Sequence, residues 1–175
     1  MDLFGPIDLH NFKDSHQEGK RMLLVVTDIY SRWSEIFILT KTTSTQIARI
    51  LETKWFNIYG KPKSVLTDQG RQFTSQNFKT FLNQNGIKHT TASAYNPTGN
   101  SIVERINQII GNALRCYRDI SLKDAVKKIV RSLRFSYHQT LGHSPFEVIK
   151  KTNPFNPLIN VKINKTKILK RKEIS

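Results

Sequence analysis

Residues 22–39 constrain the fold more than any other part of this chain. MLLVVTDIY (22–30) and EIFIL (35–39) are apolar runs rich in β-formers, and the SRWS between them can turn. Together they read as an antiparallel hairpin. Residues 1–9, MDLFGPIDL, look like a strand running into Gly5-Pro6, and 10–21 are polar and charged enough for a surface loop. After the hairpin, Ile47, Leu51, Trp55 and Ile58 recur at helical spacing across 44–59. Thr43 or Ser44 can cap that helix, and Gly60 and Pro62 stop it. SVLTDQG (64–70) is a short strand ending at Asp68. A helix capped by Ser75 carries Phe78, Phe81 and Leu82 on one face and ends at Gly86. IKHTTA (87–92) is the fifth strand. Helices are expected over about 101–117 and 121–137, with a short one from Ser144-Pro145, where proline takes the first helical position. Three strands, helix, strand, helix, strand and then helices make an α/β fold with a mixed sheet.

The length of 175 residues suits one domain. No run approaches the roughly 18 apolar residues of a membrane span, and no basic and apolar signal-peptide pattern opens the chain. Cys116, the single cysteine, excludes an internal disulfide and fits a reducing compartment. The formal net charge of +15 is the electrostatic footprint of a nucleic-acid binder. Basic residues concentrate in 161–175, which reads as a flexible basic tail or a truncated neighbouring element.

In so basic a chain the acids are informative. Asp68 ends a strand, at the rim of a sheet where α/β active sites collect, although Asp before Gly is also ordinary turn chemistry. Glu104 lies in the helix that follows the turn-rich run Asn96-Pro97-Thr98-Gly99-Asn100. At about 100° per residue, Glu104, Gln108, Gly111 and Arg115 fall opposite Ile102, Ile106, Ile109, Ile110, Ala113 and Tyr117. Ser101-Ile-Val-Glu104 also reads as a capping box, so the helix face alone leaves Glu104 with two roles.

LTDQGRQFTS (66–75) followed by AYNPTGNSIVERIN (94–107) resembles the catalytic core of retroviral and long-terminal-repeat (gypsy-like) retrotransposon integrases. The family signature is three acids written D,D-35-E, and 35 residues separate Asp68 from Glu104. Asp2, ahead of Gly5-Pro6, matches the family's D-x-x-G-P stretch, and YHQTLGHSPFEV (137–148) resembles a downstream family segment. The likeness covers about residues 1–150, with 151–175 as the tail. It implies a ribonuclease-H-like fold with a five-stranded mixed sheet flanked by helices, the opening strand truncated and no N-terminal zinc module in this chain. It implies a polynucleotidyl transferase that trims 3′ ends of element DNA and joins them to target DNA, with Asp2, Asp68 and Glu104 as catalytic ligands of a two-metal Mg²⁺ or Mn²⁺ site. Tyr95, Asn96 and Asn100 match a loop that touches DNA, and Arg105, Gln108 and Arg115 could reach phosphates. DNA and further copies of the chain are the implied partners, with no membrane and no small-molecule cofactor. Nuclear action follows from the substrate, with a cytoplasmic phase possible and secretion not expected. The alternative is an inactive DNA-binding or self-associating remnant.

Among other residues, Asp28 reads as a turn or capping residue and Asp8 ranks below Asp2 as first acid. Cys116, Trp33 and Trp55 read as core or interface. His10, His16, His138 and His143 lack the companions of a zinc site.

Overall fold

The computed structural model describes residues 1–13, 19–91 and 97–155, with Val161 and Ile163. For residues 97–101 it describes the backbone alone. The expected basic tail therefore lies almost wholly outside the described residues, as do 14–18 of the expected surface loop.

The strand expected over 1–9 is β1 (Asp2–Asp8), followed by a 3₁₀ turn over Leu9–Asn11. β2 (Lys20–Thr27) and β3 (Ser34–Leu39) form the expected hairpin, in register from Met22↔Leu39 to Thr27↔Ser34. β1 pairs antiparallel with β2, Asp2 opposite Val25 and Phe4 opposite Leu23, and the register shifts between Phe4 and Ile7. The irregularity falls at Gly5-Pro6, where proline has no N–H for the ladder. β4 (Ser64–Thr67) and β5 (Lys88–Thr91) pair in parallel.

Hydrogen bonding thus groups the strands as an antiparallel three and a parallel two, not as the expected single five-stranded sheet. The link between them is one bond, from the Met1 nitrogen to the Leu66 carbonyl (2.9 Å), which sets the start of β1 beside β4. Among the described residues no further ladder joins the two groups.

The expected helix over 44–59 is helical throughout but changes pitch. α1 (Ser44–Ile50) passes into a π-helical stretch, Leu51–Phe56, and then α2 (Asn57–Tyr59). Thr43 caps it by accepting the Gln46 N–H. The wider π turns bring Trp55 and Phe56 both into the core, while Ile58, placed inward by a 3.6-residue period, is 63% exposed. α3 (Arg71–Thr74) and α4 (Gln76–Gln84) follow β4, with Ser75 capping α4 as its sequence suggests.

α5 runs Pro97–Cys116, so Ser101 lies inside the helix and is not its cap. Ile106, Ile110 and Leu114 are buried, whereas Ile109, expected on the same face, is largely exposed. α6 (Leu122–Phe135) buries Leu122, Ala125, Val126, Ile129 and Val130, the spacing of an amphipathic helix, and is capped by Ser121. α7 (Pro145–Lys150) has the capping box, between Ser144 and Glu147.

Strand alternation divides the core in two. Leu23, Val25 and Ile36 pack on α5 and α6, whereas Leu24, Val26 and Leu39 pack on α1, the π stretch and α4. The strands are therefore the middle of three layers. Among the described residues no helix is long and apolar enough to cross a membrane.

Candidate active site

The site begins with alternation in β1. Phe4 joins the core on the α5 side, and Leu3 the core on the opposite side. Asp2 shares the α5 side with Phe4. There α5 comes close: a Cβ at Gly111 would stand 3.4 Å from Phe4 Cζ, so only a very small residue lets the helix approach β1 so nearly. One turn earlier, Asn107 donates from Nδ2 to Asp2 Oδ2 (2.6 Å), and the Leu3 N–H donates to Asp2 Oδ1 (2.8 Å). Glu104 lies one turn earlier still, about 4.5 Å along the axis from Asn107, and is exposed. The polar stripe of α5 that sequence assigns to solvent is in part the contact with β1.

Asp68 follows β4, exposed, and its Oδ1 accepts the Gly70 N–H (3.0 Å). It comes near Asp2 through the seam, because Met1, next to Asp2, bonds Leu66, two residues before Asp68. Electrostatics agree. Burial holds the Met1 ammonium below its ordinary pKa, while Asp2 and Asp68 both pull in the opposite direction.

The donor set fits a hard divalent cation. The chain has 28 Lys and Arg against 13 Asp and Glu, yet Asp2, Asp68 and Glu104 make no ion pair with Lys or Arg among the described residues. Asn107 Oδ1 is buried beside Asp2 without a hydrogen-bond partner among the described residues. Among the described residues no three His, Cys, Asp or Glu side chains stand as one closed metal group. The three carboxylates are thus not gathered into one group in this structure: Asp2 is on β1, Asp68 follows β4, which is linked to the start of β1 by the Met1–Leu66 bond, and Glu104 is on the helix held against Asp2.

The other candidates divide. Arg105 and Gln108 lie within a turn of Glu104 and are exposed, whereas Arg115 is about 16 Å further along α5 and donates to Asn112 Oδ1 (3.4 Å). Tyr95 and Asn96 lie outside the described residues, and Asn100 is described by its backbone alone. Asp28 accepts the Ser31 N–H (2.8 Å) and hydroxyl (2.6 Å), the turn role expected of it. Asp8 accepts the His10 N–H and caps the 3₁₀ turn. Trp33 and Trp55 are core residues, but Cys116, expected in the core, is exposed, because the last buried position of α5 falls to Leu114.

Sequence reasoning missed Asn107. Its signal was present: it stands three residues after Glu104 on the stripe that ends in Gly111, and a glycine inside a helix marks close approach. It missed as well a polar cleft of about 790 Å³ beside Asp68, lined by Gln69, Lys79, Lys88 and His89 among others. His89 bonds Thr67 Oγ1 (2.9 Å) through Nε2, and burial, then Lys79, lowers its pKa.

Comparison with known proteins gives one family. The model of the integrase core domain matches residues 7–97, more than half of the chain, a stretch that contains Asp68 and is flanked by Asp2 and Glu104. Transposon Tf2-3 and Tf2-4 polyproteins of Schizosaccharomyces pombe are 27% identical over 140 residues, 78% of this chain. The chain spans about a tenth of the length of these relatives. Among solved structures, the HTLV-2 integrase catalytic core domain in complex with magnesium, a trimeric form, superposes with a TM-score of 0.62 at 27% identity, covering 84% of this chain and 94% of that one. The catalytic core domain of BIV integrase gives 0.63 at 23% identity, over 74% and 86%. A simian T-cell lymphotropic virus intasome with a PP2A regulatory subunit gives 0.68 at 22%, over 92% and 58%. The two likenesses below 25% identity speak to the α/β fold alone, and the family match speaks to descent: the chain belongs to the integrase core domain family.

Proposed function

We propose that residues 1–150 are the catalytic core of a retrotransposon integrase, a polynucleotidyl transferase acting on DNA, followed by a basic tail. The observation that carries this reading is the bond from Asn107 to Asp2, which ties the strand bearing the first acid to the helix bearing Glu104. In this reading the five strands work as one mixed sheet, with the Met1–Leu66 bond as its seam. Asp2, Asp68 and Glu104 hold Mg²⁺ or Mn²⁺ in a two-metal site. Bound there, the cations activate the attacking oxygen and stabilise the charge on the leaving one. The protein's own groups fix the ligands: Asn107 and the Leu3 N–H hold Asp2, and the Gly70 N–H holds Asp68. Arg105, Gln108 and Asn100 on α5, with Tyr95 and Asn96 just before it, orient the DNA backbone. Water cuts the element's 3′ end, and the 3′-OH set free attacks a phosphodiester of target DNA, expelling a 3′ oxygen there. DNA, further copies of the chain and a nuclear place of action belong to this reading.

A second reading, a DNA-binding or self-associating remnant without catalysis, has one observation in its favour: the carboxylates are not gathered into one group among the described residues. Strand transfer with an element-end duplex and Mg²⁺ or Mn²⁺ decides between them. Wild type is expected to join DNA, and Glu104→Gln or Asp68→Asn to lose at least about a hundredfold, near 3 kcal/mol of barrier. Equal joining by wild type and Glu104→Gln would remove the catalytic assignment.

A further inference from the structure

Beyond the acids, three cationic or basic side chains on separate elements influence one another electrostatically. Arg32 stands in the β2–β3 turn, His138 in the segment between α6 and α7, and Arg105 on α5 directly after Glu104. Asp2 pairs with Val25 and β2 ends at Thr27, so the turn bearing Arg32 begins about 10 Å from Asp2.

Two of the three, Arg32 and His138, hold buried nitrogens without a partner among the described residues. Arg32 Nε and Nη1 and His138 Nδ1 are buried with no hydrogen bond. Buried donors on a charged group are costly unless satisfied. Asp28 stands near Arg32 but makes no ion pair with it among the described residues, and its Oδ2 is taken by the Ser31 N–H and hydroxyl. His138 is fixed in place: its N–H bonds the His143 carbonyl, and its own carbonyl accepts from Leu141 and Gly142. Burial, then Arg32 and Arg105, depress the His138 pKa, which puts both guanidinium groups within electrostatic reach of one imidazole.

The backbone adds an independent sign. Arg32 has φ +61°, a left-handed conformation in which glycine would be at ease. An arginine held there is kept for its side chain. Two guanidinium groups and an imidazole, with unspent nitrogens on Arg32 and His138, match the oxygens of a phosphate.

We propose that Arg32, Arg105 and His138 form a subsite for one backbone phosphate of the DNA strand engaged at Asp2, Asp68 and Glu104; this rests on the function proposed above. The subsite fixes the register of the strand beside the carboxylates and carries no base preference.

Arg32→Gly tests it, because glycine suits the backbone of the turn and a thermal melt no lower than that of wild type confirms folding. Fluorescence anisotropy measures the affinity of the full chain for a labelled element-end duplex between 50 and 200 mM KCl. Arg32→Gly is expected to bind about tenfold more weakly, with the log–log salt slope shallower by about one. In a scan of duplexes with single methylphosphonates, one position should weaken wild type and leave Arg32→Gly unchanged. Wild type that binds while Arg32→Gly keeps the same affinity, slope and scan overturns the phosphate subsite alone and leaves the cluster to another anion, such as a partner protein's carboxylate. Wild type that binds no duplex overturns both this inference and the function on which it rests.

Discussion

Asp2 is held by two donors, the Leu3 N–H and Asn107 Nδ2, and only the second comes from another element. In the proposed function Asn107 therefore positions a ligand, Asp2, without being one. Asn107→Ala removes a hydrogen bond to a carboxylate, worth about 1.5–3 kcal/mol. If that bond serves orientation, the folded variant, assayed well below its midpoint, loses about tenfold or more in strand transfer, whereas its melting temperature falls only by the roughly 3–12 °C that this bond is worth. A melting temperature that drops in proportion to activity would make the bond merely structural, so activity and thermal melts are measured on the same preparations. The acids were singled out in sequence because their types and spacing are chemical. Asn107 was not, since an amide on a polar helix stripe looks like solvated surface until β1 is laid against it. Cys116 shows the same limit, because helical phase at the end of α5 does not say where the core stops.

At the scale of elements, β1 to β5 and the helices after them were readable from apolar runs and caps. The change to π pitch at Leu51–Phe56 was not, because it follows from seating Trp55 and Phe56 together. Beyond the β2–β3 hairpin, the grouping of the strands was not either, since the bond between Met1 and Leu66 has no sequence signature. A third feature unseen in sequence is the clamp between α6 and β3. Arg134 forms an ion pair with Glu35, donates from Nε to the Ser34 carbonyl (3.2 Å) and stacks over Trp33 at 4.2 Å. Tyr59 donates to Glu35 Oε1 (2.6 Å), and burial, then that bond, raises its pKa. With both ionic side chains about one-fifth exposed, Arg134→Ala leaves Glu35 short of its cation and should cost about 2–3 kcal/mol. Arg134→Lys should recover little, because lysine has no planar fork to bond Ser34 and Glu35 while stacking on the indole. Urea unfolding of the three proteins checks this, and a lysine variant as stable as wild type would show that charge alone matters.

Across the whole molecule, charge and site oppose each other. In the proposed function a body of net charge +15 attracts DNA, yet three carboxylates that make no ion pair with Lys or Arg among the described residues would face the phosphodiester. The positive surface brings the duplex in and releases counterions, so affinity should fall steeply with salt. With about six phosphate contacts the loss is about a thousandfold between 50 and 200 mM. The acids set a local penalty that divalent cations relieve. In EDTA, then, Glu104→Gln should bind an element-end duplex several-fold more tightly than wild type, since one repulsive charge is gone. On adding Mg²⁺ the order should close or reverse, because wild type gains a cation that neutralises phosphate and the variant gains less. Titrations of both proteins with and without metal separate the two effects. A variant weaker than wild type in EDTA would mean that Glu104 supports the helix more than it repels DNA, and the opposition between charge and site would not hold.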